Sequence, residues 1–146
     1  MTKVVPKPED YSPFTKLLGI FIAQAGEGRS RLTMEVQPKL QNNYGTVHGG
    51  AIYTMVDIGM GAALYFSLRD EEICRTVEIK ITYIKPAVAG TLICDSRVIH
   101  RTKHLGTAEA EVTAGGELIA RATGTFYISK DRGEDIHRKQ RAKEAE

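Results

Sequence analysis

One acidic residue stands alone in a long uncharged segment. Between Gly49 and Phe66, Asp57 is the single charged side chain among small and apolar residues. A carboxylate in the middle of an apolar helix is costly unless it is paired or its pKa is tuned. We therefore interpret Asp57 as a candidate general base or nucleophile. The alternative is a helix end or bend that lets Asp57 reach solvent or cap a neighbouring element.

A loop of turn-forming residues, which includes Asn42, leads into this segment and ends at His48. At the start of a helix the backbone N–H groups have no intrahelical partner, and the helix dipole favours a negatively charged oxygen. Gly49 and Gly50 have no Cβ, so a substrate oxygen could approach the backbone closely. A histidine at this position is as often structural as catalytic, and the sequence leaves both open.

The elements that must position these residues are read from hydrophobic periodicity and turn residues. The order is a short helix, two strands, one long helix and four more strands. A flat sheet cannot cover an apolar helix, whereas a strongly curved antiparallel sheet can wrap it, so we predict an α+β fold. Close packing would explain the glycines of the long helix. The predicted helices are Phe14–Leu18 and His48–Leu68, and the predicted strands are Gly19–Ala25, Leu32–Gln37, Thr76–Ile84, Thr91–Arg101, Thr107–Thr113 and Leu118–Ser129.

The 146 residues suit one domain, which we place at residues 14–130 between an extended arm (1–13) and a charged tail (131–146). The chain has 20 Lys and Arg against 18 Asp and Glu, a balance that does not predict nucleic-acid binding. Cys74 and Cys94 lack the spacing of a metal site, so we expect no metal and a reducing cytoplasm. The segment Gly49–Phe66 barely reaches the roughly 18 residues of a membrane span, so we expect no membrane partner.

The motif Asn42-x5-His48-Gly49-Gly50-x6-Asp57, followed by Gly61, resembles the signature of hotdog-fold acyl-CoA thioesterases. The resemblance is to the PaaI-like and 4-hydroxybenzoyl-CoA thioesterase branch. Downstream, the segment Ile81–Ala87 resembles the family's strand, which has a tyrosine followed shortly by Pro-Ala. The order of helices and strands also matches the hotdog fold, a sheet wrapped around one long helix. The resemblance covers about Phe14 to Lys130.

The resemblance implies roles for five residues. Asn42 matches the asparagine that orients the thioester or the attacking water, and Gly49 the glycine whose N–H polarises the thioester carbonyl. Asp57 matches the base or nucleophile, and Thr76 a hydroxyl residue that helps hold the water. His48 matches a histidine that shapes the loop near the thioester. In this family the site lies between two subunits, one supplying Asn42 and Gly49 and the other Asp57 and Thr76.

The resemblance further implies an acyl-CoA substrate, no separate cofactor, and a homodimer that can pair into a homotetramer. We expect Lys85, Arg101, Lys103 and His104 to gather as a patch for the CoA phosphates, the alternative being ordinary charged strand ends.

The expected activity is hydrolysis of an aryl or a short- to medium-chain acyl-CoA to the free acid and CoA. Two alternatives stay open: a hydratase or dehydratase on the same fold, and a non-catalytic acyl-CoA-binding protein. The aromatic residues of the long helix, including Tyr65 and Phe66, are interpreted as core in preference to an acyl pocket.

Overall fold

The computed structural model describes residues 3–133 and 143–144. Its regular elements are two α-helices, six β-strands and two short 3-10 turns, in the predicted order. The helices are α1 (Pro13–Leu18) and α2 (Gly49–Tyr65), and the 3-10 turns are Pro8–Asp10 and Pro38–Leu40. The strands are β1 (Ile20–Gly26), β2 (Arg29–Glu35), β3 (Glu72–Tyr83), β4 (Thr91–Arg101), β5 (Leu105–Ala114) and β6 (Glu117–Lys130).

The six strands form one antiparallel sheet in the order β1-β2-β4-β5-β6-β3. Helix α2 packs across the concave face of this curved sheet, which confirms the predicted α+β architecture. None of the helices in residues 3–133 and 143–144 is long and apolar enough to cross a membrane. The core lies between α2 and the sheet, and its fully buried side chains include Leu32, Met55, Met60, Leu92 and Phe126.

Capping and turn residues set the element boundaries much as predicted. Ser12 caps α1 by accepting the Thr15 N–H at 3.2 Å, and Gly19 ends the helix in the left-handed conformation at φ 69°. In the hairpin between β5 and β6, Gly115 and Gly116 have φ of 56° and 78°. A two-residue hairpin with both φ positive requires such residues, so the turn agrees with its sequence signal.

Several boundaries differ from the prediction, and strand β2, predicted at Leu32–Gln37, runs from Arg29 to Glu35. Helix α2 ends at Tyr65, because the chain turns at Phe66–Leu68. Strand β3 starts at Glu72 instead of Thr76, since the preceding residues also pair with β6. The predicted arm is not wholly extended, because it holds a 3-10 turn. The prediction for the tail from residue 134 onward, apart from 143–144, lies outside the described residues.

Close packing explains one of the α2 glycines and not another. A Cβ on Gly59 would lie 2.7 Å from the Ser96 hydroxyl and 3.1 Å from the Cys94 sulfur. A Cβ on Gly61 would meet only Phe126, at an ordinary 3.9 Å. The sheet therefore does not surround α2 on most sides. The sheet covers one side, and an uncovered face remains, formed by Gly50, Tyr53, Thr54, Asp57, Ile58, Gly61, Ala62 and Tyr65.

A β-bulge in β3 changes which side chains face α2. The pairing of β3 with β6 skips Val77, between Thr76 and Glu78. The predicted alternation put Val77 on the inner face with Ile79, Ile81 and Tyr83, but Val77 is 59% exposed. The extra residue shifts the alternation by one step. Thr76 consequently shares the inner face with Tyr83, seven positions away.

Candidate active site

Asp57 lies on the uncovered face of α2, where it is half-buried. Thr76 donates its hydroxyl to the Asp57 carboxylate at 2.6 Å from the bulged part of β3. A hydroxyl that donates to a carboxylate keeps its lone pairs free to accept a hydrogen bond from water. Asp57 is only half-buried because its side of α2 is not covered by the chain's own sheet. Asp57 and Thr76 together can hold and activate a water molecule.

Neither cysteine is suited to nucleophilic chemistry. Burial and the nearby Asp57 carboxylate raise the pKa of Cys74 to about 11. Burial raises the pKa of Cys94 to about 12. Because the thiolate is the reactive form, both side chains stay protonated and inert near neutral pH. Asp57 is then the group near Thr76 that can act as base.

The start of α2 presents an N–H group to the outside. His48 is the N-cap, and its Nδ1 accepts the Gly50 N–H at 2.8 Å, which leaves the ring hydrogen on Nε2. The Gly49 N–H has no hydrogen-bond acceptor among residues 3–133 and 143–144. An unpaired N–H at a helix N-terminus is a ready donor to a developing oxyanion.

Tyr83 fixes the backbone at Gly49, a role that the sequence analysis did not assign. Its hydroxyl donates to the Gly49 carbonyl at 2.7 Å, and burial raises the pKa of Tyr83, which keeps the phenol protonated. A Cβ on Gly49 would lie 3.1 Å from the Tyr83 ring. A larger residue at position 49 would therefore displace the ring by a few tenths of an ångström.

Asn42 builds the loop before α2. Its side-chain oxygen accepts the N–H groups of Tyr44 and Thr46 at 2.9 and 3.2 Å, and its amide donates to the Thr46 hydroxyl at 2.9 Å. One amide hydrogen remains for a substrate or water. In the chain alone, Asn42 thus organises the loop that ends at His48 and Gly49.

The two halves of the motif do not meet within one chain. Gly49 and Asp57 are eight residues apart on α2, roughly 12 Å along the helix axis. A donor and a base acting on one carbonyl group must each lie within about 3 Å of the reacting atoms. One chain therefore supplies two half-sites: Gly49 beside Tyr83, and Asp57 beside Thr76.

The four residues expected to bind phosphate do not gather in one patch within the chain. Lys85 follows the end of β3 and pairs with the exposed Glu117 at 2.7 Å. Arg101 pairs with Glu72 at the start of β3 at 2.5 Å. Strand β3 spans roughly 36 Å at the usual rise per residue, so these two cations lie at opposite ends of the sheet.

Lys103 and His104 lie near Arg101 on the exposed turn between β4 and β5, where His104 stacks on Tyr127 with ring centres 6.3 Å apart. Arg101 differs from them, because its guanidinium also donates to the Ser67 carbonyl and is only 22% exposed. Arg101 thus ties the turn after α2 to β4.

We expect the Arg101→Met variant to be less stable than wild type by about 2 kcal/mol, because Glu72 would keep a nearly buried charge without its partner. Burial works to raise the pKa of Glu72, but hydrogen bonds from the Arg69 N–H and Arg101 outweigh it and lower that pKa below its ordinary value. The stabilisation is therefore present above the ordinary glutamate pKa and is lost as pH falls below it.

Urea unfolding at pH 7 and at pH 3 measures this difference. Lys85→Met is the matched control, since its pair with Glu117 is 53% and 63% exposed and should change stability by at most about 0.5 kcal/mol. Equal effects of the two substitutions would contradict the structural role of Arg101.

Comparison with known proteins identifies the family of this chain. Residues 44–120 match the family described as the Thioesterase superfamily. The Pseudomonas aeruginosa protein PA0474 is 30% identical over 119 residues, covering 80% of this chain and 89% of that protein. Human acyl-coenzyme A thioesterase 13 is 31% identical over 119 residues, covering 79% and 84%. The solved structure of conserved protein PA5202 from P. aeruginosa superposes with a TM-score of 0.79 at 32% identity, covering 82% of this chain and 95% of that one.

The fold and the family match define a thioester hydrolase of the hotdog class, as the resemblance predicted. The chain belongs to the Thioesterase superfamily. This membership favours hydrolysis over the two alternatives, hydration of an enoyl group and non-catalytic binding.

Proposed function

We propose that the protein hydrolyses acyl-CoA thioesters in clefts shared between two subunits. Asp57, held by Thr76, removes a proton from water as it attacks the thioester carbonyl. The Gly49 N–H of the other subunit donates to the carbonyl oxygen as it becomes an oxyanion, and the thiolate of CoA leaves. The proposal is carried by the hydrogen bond from Thr76 to Asp57 on the uncovered face of α2. The Gly49 N–H, which has no acceptor among residues 3–133 and 143–144, supplies the second group.

The chemical roles follow from residue type and setting. A carboxylate that loses water contacts when a cleft closes becomes a stronger base. One preorganised backbone donor to an oxyanion is worth roughly 2.7–4 kcal/mol. The Nε2–H of His48 faces outward beside Gly49 and is a second candidate donor to the thioester. Asn42 is a positioning residue, because it shapes the loop that carries both groups.

The free edge of β3 supports a shared site. β3 ends the strand order, so its outer edge has no partner strand among residues 3–133 and 143–144. It is 12 residues long and carries the exposed side chains of Val77 and Tyr83. A long unpaired edge strand invites pairing with another copy, and pairing removes the exposed edge. We infer that two copies join their sheets here.

The positions of the half-sites along β3 specify the register. If the two β3 strands pair antiparallel with one Lys80 opposite the other, Ile79 lies opposite Ile81 of the partner subunit. Residues directly opposite each other point to the same face of the sheet, as a shared site requires. When Val77, the extra residue of the bulge, is not counted, Tyr83 lies opposite Thr76 of the partner subunit. Since Tyr83 contacts Gly49 and Thr76 contacts Asp57, this register brings the two half-sites together twice in each dimer.

The same register also brings together three of the residues expected to bind the CoA phosphates. It carries Lys85 to the partner's turn that holds Lys103 and His104, because the two β3 strands run in opposite directions. We propose these three residues for the nucleotide part of CoA and leave Arg101 to its pair with Glu72. The patch that a single chain lacks would thus form in the dimer.

Release of free CoA thiol from butyryl-, decanoyl- and phenylacetyl-CoA tests the proposal. We expect hydrolysis of acyl-CoA, with a higher KM but similar kcat for the matching acyl-pantetheine, which lacks the nucleotide. Crotonyl-CoA, an enoyl thioester, serves as the comparison for hydration. Hydration without thiol release, or tight binding without turnover of any thioester, would overturn the proposed activity.

A further inference from the structure

An apolar groove runs along the uncovered face of α2, beneath the N-terminal arm. Its volume is about 790 Å³, within the roughly 300–1,000 Å³ of ordinary ligand pockets. One wall is the arm from Val4 to Tyr11, and the floor comes from α2 and β1. The α2 residues of the floor are Ile58, Gly61, Ala62, Tyr65 and Phe66, and β1 adds Ile22 and Ala25.

The arm is fastened at both ends and spans the groove. Lys3 donates to the carbonyls of Tyr65 and Leu68 at 2.8 and 2.5 Å, at the end of α2. At its other end, the buried Tyr11 hydroxyl accepts the Ile22 N–H at 2.9 Å. Cations near a helix C-terminus are favoured by the exposed carbonyls and the dipole. These two anchors hold the arm over α2 and keep the groove open beneath it.

The groove begins within one helical turn of Asp57, the proposed base. Gly61 is four residues beyond Asp57, so the two lie on the same stripe of α2. Small side chains at Gly61 and Ala62 leave space at this point. From Asp57 to Tyr65 is roughly 12 Å along the axis. An alkyl chain of about nine or ten carbons has that length when extended, at about 1.3 Å per bond along its axis.

We propose that this groove receives the acyl chain of the thioester and selects uncharged aliphatic chains of about ten carbons. The inference rests on the proposed function, because the groove is assigned to the acyl chain only if Asp57 beside it is the base for thioester hydrolysis. The lining carboxylates of Glu9, Asp10 and Glu144 outnumber the ammonium of Lys7. The ammonium of Lys3 at the Tyr65 end already donates to two carbonyls and lies over the Tyr65 ring, so the groove disfavours an acyl chain ending in a carboxylate. Tyr65 and Phe66 are then pocket residues, in contrast to their interpretation as core.

Hydrolysis of straight-chain acyl-CoAs from four to sixteen carbons tests the groove. We expect wild-type kcat/KM to rise about 30-fold or more from butyryl- to decanoyl-CoA as methylenes are buried, and to level off beyond. Ala62→Phe should fill the groove and lower kcat/KM for decanoyl-CoA by about tenfold or more, and by clearly less for butyryl-CoA, whose chain reaches less of the groove. Ala23→Phe is the matched control, since Ala23 is exposed on β1 and does not line the groove.

Binding keeps this inference separate from the activity. Calorimetry with decyl- and butyl-CoA thioethers, which cannot be hydrolysed, should show about 30-fold tighter binding of the decyl compound to wild type, with that gain lost in Ala62→Phe. If the decyl compound binds more tightly but no thioester is hydrolysed, the proposed function is refuted, whereas the groove remains a site for an alkyl chain. Hydrolysis without dependence on chain length would refute the groove alone.

Two further outcomes would also overturn the groove. In the first, light scattering shows a changed molecular mass for Ala62→Phe while the dependence of kcat/KM on acyl-chain length stays unchanged. This result would assign the surface to contact with a second copy of the chain. The second is an equal loss for butyryl- and decanoyl-CoA in a folded Ala62→Phe protein, which would place Ala62 outside the acyl path. The far-ultraviolet circular dichroism of the variant establishes that it is folded.

Discussion

The Asp57→Asn variant is expected to lose at least about 10²-fold in kcat for thioester hydrolysis while keeping its fold. The substitution preserves the shape of the side chain and its hydrogen bond with Thr76, but it removes the base. The loss should appear in kcat, because the amide still occupies the same place in the cleft. Steady-state rates of thiol release, with urea unfolding alongside, measure both parts of the expectation.

Asp95→Asn is the matched control for this variant. Asp95 is an exposed carboxylate that pairs with Arg31 at 2.7 Å on the outer face of the sheet. The same change of charge there should leave kcat within about twofold, because exposed pairs contribute little. Near-normal turnover by Asp57→Asn would remove Asp57 from the mechanism and make it a structural residue of α2.

Mixing two inactive variants is expected to restore activity. Asp57→Asn destroys one half-site, and Asn42→Ala loosens the loop that carries the other, Gly49. After subunit exchange at equal amounts, half of the dimers are mixed, and one of their two clefts has both wild-type halves. Activity should therefore rise from near zero to about a quarter of the wild-type value. Thiol release before and after exchange measures the gain.

The control is to mix each variant with itself under the same exchange conditions, which should restore nothing. A Lys80→Cys variant checks the pairing, because a residue opposite itself across two antiparallel strands is close enough to form a disulfide. If subunits exchange and no activity returns, both halves act within one chain's cleft and the shared site is wrong.

Much of the fold follows from the sequence because turn and cap residues act locally. Ser12, Pro13 and Gly19 bound α1, and Gly115 and Gly116 form the last hairpin, as their types require. The long helix follows from its length and apolar run. What periodicity could not supply was the sheet order or the side of α2 that the sheet leaves open, because both depend on packing between distant segments.

The residues of the candidate site also differ in how far the sequence could predict their roles. The spacing of His48, Gly49 and Asp57 along one helix could be read directly, and the structure adds their geometry. Arg101 could not be assigned from the sequence, because its partner Glu72 is 29 positions away and approaches only through the fold. The sequence likewise could not show that Lys85 and Arg101, two of the residues expected to bind phosphate, lie at opposite ends of β3 within one chain.

The bulge at Val77 has a consequence for how relatives of this chain are aligned. Thr76 and Tyr83 share a face of β3 although an odd number of positions separates them, which regular alternation forbids. A homologue that lost the extra residue would need its hydroxyl six positions before the tyrosine instead of seven. The number of positions between these two residues therefore shows whether a residue has been inserted or deleted in this strand. An ungapped comparison of the two forms would pair the catalytic hydroxyl with the wrong residue.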